Sequence, residues 1–322
     1  MPARVVVVGS YNQDMVWRTA RFPVPGETRL GTFDTGPGGK GFNQAIACAR
    51  QGVATHFIGA LGDDAIARGM RELALSEGLA LHCETHAGLA TGTAAILVED
   101  SGQNLIVVGP GANAALSVAH VSAQAAVIRA ARVLVTQHEV NHAASLAAQK
   151  IARAAGVLCL HNPAPPVDAR DLELVDGADL ITPNETEFVQ LLKLRGLDAP
   201  AAEALAALPA DALHALCRAL HAGTVVLTLG AQGAFVSHAD APPRGDVSKH
   251  YRAAPEQVEA IDTTGAGDAF SGALAAALAS APEAPFAEAV RAAGRVAALS
   301  TERRGAALAI PRLNEVVQRF GA

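Results

Sequence analysis

The amino-acid sequence predicts an α/β protein: a doubly wound, mostly parallel sheet with helices on both faces and a small β lid. Two observations predict the main sheet. From Val53 onward, short apolar runs alternate with Ala- and Leu-rich stretches of helical length, the pattern of a parallel sheet covered by helices. The first run, Val5 to Val8, is solidly β-branched, as a central strand buried on both faces requires. A third observation predicts the lid. Residues 15–36 are punctuated by Arg, Pro and Gly and carry short alternating pieces such as Thr28–Phe33, which suit strands exposed on one face.

The 322 residues are half apolar and carry a net charge of −6, so a large core is available and no overall basic field favours nucleic acid. Four cysteines form no CxxC pair and suit a reducing compartment. No apolar run reaches membrane-spanning length, and since Met1–Arg4 leads straight into a strand, no signal peptide is expected. The expectation is a soluble, cytoplasmic single domain over 1–322, with the lid formed by about 15–36 and 92–110 inserted in it.

Taken in order, Val5–Val8 ends in Gly9-Ser10-Tyr11-Asn12-Gln13-Asp14. If the chain is still extended, Asn12 and Asp14 point the same way past the strand's carboxyl end, where open parallel sheets bind ligands. The pair suits sugar hydroxyls; a polar loop cap is the simpler alternative. Gly36-Pro37-Gly38-Gly39-Lys40-Gly41 spells G-x-G-x-x-G, but no core strand precedes it, and Gly41 stands where a P-loop needs Ser or Thr. It reads as a tight turn entering a helix over Phe42–Gln51, with Lys40 and Asn43 near its start. Residues 93–98 and 104–108 read as a hairpin.

Further strands are expected at His56–Ile58, Val133–Thr136, Val157–His161, Leu180–Thr182, Val225–Leu229 and Ala234–Ser237. Helices are expected at 64–77, 117–131, 141–155, 185–194, 201–222, 266–279 and 286–301. Residues 195–216 read as a surface helix pair and 239–250 as a polar loop. Thr182-Pro183-Asn184-Glu185-Thr186-Glu187 opens a helix with a cap and acidic residues in its first turn. Asn184 and Glu187 also suit a position near phosphates and, through water, magnesium. Leu227–Ala234 frames a glycine turn between two strands, a shelf for a nucleotide.

Two spellings carry chemistry. Asp262-Thr263-Thr264-Gly265-Ala266-Gly267-Asp268 is a glycine-bearing turn running into a helix, a place where backbone N–H groups and the helix dipole favour an anion. Asp268 in the first turn is placed to take a proton from a hydroxyl beside a transferred phosphoryl group, or simply complements the dipole. His138-Glu139-Val140-Asn141-His142 spells the zinc metallopeptidase pattern, which works only on a helix. It follows a strand at once, so Glu139 reads better as an acceptor for a substrate hydroxyl.

Taken together, Gly38–Ala45 and Asp262–Phe270 resemble the two signatures of the ribokinase-like (PfkB) sugar kinases. The resemblance extends to Gly9–Asp14, Phe22–Thr28, Gly111–Ser117, Asn162–Pro165 and Thr182–Glu187, covers nearly the whole chain, and is strongest to the ribokinases within the family. It implies transfer of the ATP γ-phosphoryl group to the terminal hydroxyl of a furanose, D-ribose first, with fructose, ketodeoxysugars and nucleosides as alternatives. Asp268 would be the base, and the N–H groups of Gly265, Ala266 and Gly267 the anion hole. Asn12, Asp14, Gly39, Lys40, Asn43 and Glu139 would hold the sugar. Asn184, Thr228, Gly230 and Gly233 would line the ATP side, with Glu187 near Mg2+. A potassium site would fall at Asp262, Thr264, Ser300, Arg303 and Gly305, and the lid would pair two subunits in a homodimer. Three departures stand out: Phe42 replaces a usual Ala, where a large ring is expected to narrow the sugar pocket or change the preferred sugar; Glu302 departs from the usual spelling of the later loop that carries the potassium positions; and the segment 195–216 is longer than usual.

Overall fold

The computed structural model describes residues 4–239 and 244–321. β1 (Arg4–Val8) is buried from Val5 on, and alternate valines face opposite sides. Val5 and Val7 join one core, and Val6 and Val8 join another, so this one strand is covered on both faces. The chain passes through Gly9–Tyr11 into β2 (Asn12–Thr19), and β3 (Thr32–Gly38) runs directly into α1 (Lys40–Arg50). β4 (Ala54–Gly62), α2 (Ala65–Ser76) and β5 (Ala80–His86) follow as a βαβ unit, and β6 (Thr93–Glu99) and β7 (Asn104–Gly109) form the hairpin.

α3 (Val118–Ala123) and α4 (Ala125–Arg129) precede β8 (Val133–Thr136), α5 (His142–Ala154), β9 (Leu158–His161), α6 (Asp171–Asp176), β10 (Leu180–Ile181) and α7 (Glu185–Leu194). α8 (Ala210–Leu220), β11 (Thr224–Thr228), β12 (Ala234–Ser237), β13 (His250–Ala253), α9 (Ala266–Ser280), α10 (Phe286–Ser300) and α11 (Leu313–Phe320) complete the described chain.

Two sheets result. The nine-stranded sheet has the order β13-β12-β11-β10-β9-β8-β1-β4-β5, parallel except where β12 pairs with β11 and β13. The four-stranded sheet has the order β3-β2-β6-β7. On one face of the large sheet, α1, α9 and α10 supply most of the core with Phe42, Ile46, Leu274 and Val296; on the other, α5 packs Ala144, Ala148 and Ala152.

Several expected boundaries change. Thr28–Gly31 lies outside any strand, and β3 instead continues to Gly38, so a strand does precede the glycine turn, but it belongs to the small sheet. The helix expected over 117–131 breaks at Gln124, which ends α3 and begins α4. The expected helix pair in 195–216 is a 3-10 turn at Ala202–Ala207 and α8, separated at Pro209. β5 and β13 were not expected; both are outermost strands of the large sheet and carry polar residues that dilute the apolar signal. Of the expected loop 239–250, residues 240–243 lie outside the described residues.

Candidate active site

The site forms where β1, β8, β9 and β10 end. β2 continues the extended chain, so Asn12 and Asp14 share a side as expected. Asn12 is buried and its Oδ1 accepts from Asn113 Nδ2 at 2.9 Å. Asn113 also brackets Tyr11, accepting from its N–H and donating to its carbonyl oxygen. Asp14 lies against Gly38, where an added Cβ would sit 2.3 Å from its Oδ2. Burial, then the nearby Glu139 and Asp268 carboxylates, push the Asp14 carboxyl up to about 7.

α1 begins where the chain crosses β1. Gly39 has φ 87°, and a Cβ on Gly41 would meet Gly9 Cα and Ser10 N at 2.6 Å. The glycine run therefore serves a close backbone crossing that any side chain would obstruct. Glu139, in the bend between β8 and α5, closes this junction. Its Oε2 accepts from Ser10 Oγ at 2.5 Å and from the Lys40 N–H at 2.9 Å, a carboxylate at a helix N-terminus. Burial alone would lower the Lys40 ammonium, but Asp268, Glu139 and Glu187 outweigh it and hold the group above its ordinary value.

Asp268 is buried in the first turn of α9. Its Oδ2 accepts from Asn43 Nδ2 at 2.9 Å and its Oδ1 from Gln44 Nε2 at 3.0 Å. The turn before it is held by Asp262, whose Oδ1 accepts from Thr264 N and Oδ2 from Gly305 N at 3.0 Å. Burial works against the Asp262 carboxylate, but these hydrogen bonds prevail and lower its pKa. Gly265 is left-handed at φ 74°, the conformation this turn needs to swing into α9. The N–H groups of Gly265 and Gly267 have no backbone acceptor among the described residues, whereas Ala266 N–H bonds back to Thr263 O at 3.2 Å.

A cleft of about 470 Å³ lies between this turn and the small sheet. It is lined by Asp14, Val16 and Arg18 on one side and by Asp262–Thr264 and Arg304–Ala306 on the other. Of the positions named for potassium, Asp262, Thr264 and Gly305 line this cleft. Ser300 Oγ bonds within its own helix to Ala297 O, and the Arg303 guanidinium pairs with Glu315 at 2.6 Å. The Ser300 hydroxyl, as a donor, keeps its lone pairs for a cation, whereas of Arg303 only the main chain is left.

On the other flank, Asn184 caps α7. Its Oδ1 accepts from Glu187 N, while Glu187 Oε2 accepts from Asn184 N. Burial raises the Glu187 carboxyl, with Lys40 pulling the other way. Thr228 N bonds to Pro183 O, and Leu229 N to Gly233 O, with Gly230 at φ 50° and Gly233 at φ 83°. Thr228 ties this glycine turn to Pro183, beside Asn184.

One expectation is corrected, and the alternative set aside in the sequence finds no support. Phe42 does not narrow the cleft: it is fully buried, edge-on to Tyr11 at 5.1 Å and to Phe57 at 5.9 Å. The zinc pattern has no helix to sit on, because α5 starts at His142 and His138 lies in the bend before it. His138 Nε2 lies 2.8 Å from His161 Nε2, His142 pairs with Glu173, and no group of three metal-ligating side chains forms among the described residues.

The contacts also show residues to which the sequence assigned no role. Gln44, Gln137 and Asn162 are buried around Asp268, and Ser10 and Asn113 fix the β1–β2 junction. Gln44, Asn113 and Asn162 stand inside motifs the sequence displays, but spacing alone says nothing of which atoms they meet.

The family model for pfkB family carbohydrate kinases matches residues 2–313, and the chain belongs to that family. Within it, the chain is 36% identical to a ribokinase of Mus musculus over 96% of this chain and 92% of the relative. It is likewise 36% identical to a ribokinase of Haemophilus influenzae over 99% and 98%. The solved Arabidopsis thaliana ribokinase complexed with ribose and ATP superposes with a TM-score of 0.82 at 29% identity, covering 98% of each chain.

Proposed function

We propose that the chain is an ATP-dependent sugar kinase that phosphorylates the terminal hydroxyl of a furanose, D-ribose first, giving ribose 5-phosphate and ADP. The observation that carries this is the buried Asp268 carboxylate, held by two amides in the same turn whose Gly265 and Gly267 N–H groups stand without backbone acceptors. A base and an anion hole that share one helix start are what phosphoryl transfer to an alcohol needs.

Asp268 takes the proton of the sugar hydroxyl as its oxygen bonds to the γ-phosphorus. The bond from that phosphorus to the β,γ-bridging oxygen breaks, and the electron pair leaves with ADP. Gly265 and Gly267 N–H groups stabilise the charge on the transferring phosphoryl, and Ala266 joins them only if its bond to Thr263 is released. Asn12, Asp14, Gly39, Lys40, Asn43 and Glu139 hold the sugar, and Asn43 Oδ1 is buried without a partner among the described residues. Asn184, Thr228, Gly230 and Gly233 line the ATP side.

Magnesium, when bound, supplies charge neutralisation at the phosphates. Glu187 fits its water shell, since its Oε2 is committed to the cap while its Oε1 accepts no hydrogen bond among the described residues. Potassium would add positive charge beside the anion hole; Asp262, Thr264 and Gly305 frame its position, with Ser300 contributing an oxygen and Arg303 its carbonyl.

We further propose that the small sheet closes over the cleft as a lid and joins two copies of the chain. Its edge strand β7 is exposed along its length, and Leu105, Ile106, Val107 and Val108 are 53%, 53%, 73% and 46% accessible. Such a row of apolar residues on an open edge is a template for pairing. The four free cysteines support a reducing cytoplasm.

The test is a coupled ADP assay with ribose, fructose, 2-keto-3-deoxysugars, adenosine and inosine, with potassium or sodium. Ribose should give the highest kcat/KM, with stimulation by potassium. A nucleoside preferred over every sugar, or no sugar-dependent ADP, overturns the reading.

A further inference from the structure

Asp268 is clamped by groups that are themselves clamped. Gln44 lies on α1 and is fully buried. Its Nε2 donates to Asp268 Oδ1 at 3.0 Å and to Asn162 Oδ1 at 3.1 Å, and its Oε1 accepts from Gln137 Nε2 at 2.6 Å. Both amide hydrogens and the carbonyl are thus engaged, and the amide has one sensible orientation. Turning it over would set its carbonyl against two acceptor oxygens. Asn162 is oriented in turn, because its Nδ2 donates to Thr182 O at 2.9 Å. The relay therefore draws on residues just past β8, β9 and β10 and ends on the carboxylate.

The helices are spaced to allow it. α1 and α9 cross at Gly272, where an added Cβ would sit 2.4 Å from Gln44 O and 2.6 Å from Ala47 Cβ. Only this close approach lets the Asn43 and Gln44 amides reach across to Asp268. The chemistry of the clamp also suits a base. Two neutral amides fix the plane of the carboxylate through one lone pair on each oxygen and leave the others available. A cation in the place of Gln44 would hold the same plane but weaken the base.

We propose that Gln44 is a positioning residue for phosphoryl transfer, and that the Gln137–Gln44–Asn162 relay sets the orientation of Asp268 toward the sugar hydroxyl. This rests on the kinase reading above. Gln44 touches neither sugar nor nucleotide in this account; it acts through Asp268.

The experiment compares the full-length parent with Gln44→Met, which keeps the length of the side chain and removes both donors, and Gln44→Glu, which keeps the shape and sets a second acid against Asp268. Gln137→Ala loosens the relay one step away and serves if a Gln44 variant does not fold. In Gln44→Met, kcat with ribose and ATP should fall about tenfold to a hundredfold, the scale of a misplaced catalytic group, with both KM values within about threefold of the parent. In Gln44→Glu the acid limb of kcat against pH should move upward; Gln137→Ala should lower kcat by less, again at constant KM. A folded Gln44→Met with parental kcat, or one that loses kcat only in proportion to lost folded protein with an unchanged pH limb in Gln44→Glu, overturns the proposal. If the parent turns over no sugar, the kinase reading fails separately. The positioning claim is then read from crystal structures, in which the Asp268 carboxylate should leave its single orientation in Gln44→Met; the parental orientation in that variant overturns it.

Discussion

Asp14 shows how a single side chain reports on the site around it. Its carboxyl is held near 7 rather than 3.8 by burial and by two neighbouring acids. Below both values it is protonated whether the chain is folded or not. Between them the unfolded chain releases the proton and the folded chain keeps it, so the folded state loses relative stability as pH rises toward 7, and the loss is complete above it. Asp14→Asn removes this penalty. Its thermal midpoint, measured by calorimetry, should match the parent at pH 3, below both values, and exceed it by about 2–4 °C at pH 8, although sugar turnover is lost. A variant less stable than the parent at both pH values contradicts the account of the acid cluster. At this scale the sequence was legible where local chemistry speaks for itself: a glycine turn, an acid in the next helical turn, a strand end with two polar residues two apart. It was silent on Gln44, whose partners lie 93, 118 and 224 residues away, and misleading on Phe42, whose neighbours decide that its ring faces the core.

The elements divide by how openly they declare their surroundings. β1, β8, β9 and β11 lie inside the large sheet, so their apolar runs mark them without help. β5 and β13 lie at its margins and are read only once their partners are placed. β7 lies at the margin of the small sheet yet is apolar on both faces, which is out of keeping with a margin left in water. For the dimer proposed above, replacing Leu105 and Val107 together by Lys should therefore convert a parental dimer at micromolar concentration to a monomer by sedimentation equilibrium, and a monomeric parent contradicts the proposal. The main-sheet fold, followed by far-ultraviolet circular dichroism, should survive. Unchanged dimer mass in the double variant would place the subunit contact elsewhere.

Across the whole molecule, chemistry collects where the parallel strands end, because every chain segment leaving the large sheet there must turn, and turns expose polar backbone. The residues that matter come from β2, α1, the bend after β8, the turn before α7 and the start of α9, spread over more than two hundred positions. The fold class was readable from alternation of apolar runs with helical stretches; the convergence of these segments was not, since it depends on strand order and helix crossing. The account stands on that convergence: one carboxylate and one helix start acting on the same phosphoryl group. Phosphorus-31 NMR of reactions with ATP and ribose tests it most directly, comparing the parent with folded Asp268→Asn. The parent should convert ATP to ADP and ribose 5-phosphate in step, and the variant should be slower by about a thousandfold or more, in line with removal of a general base. Ribose 5-phosphate formed at the parental rate by Asp268→Asn would contradict it.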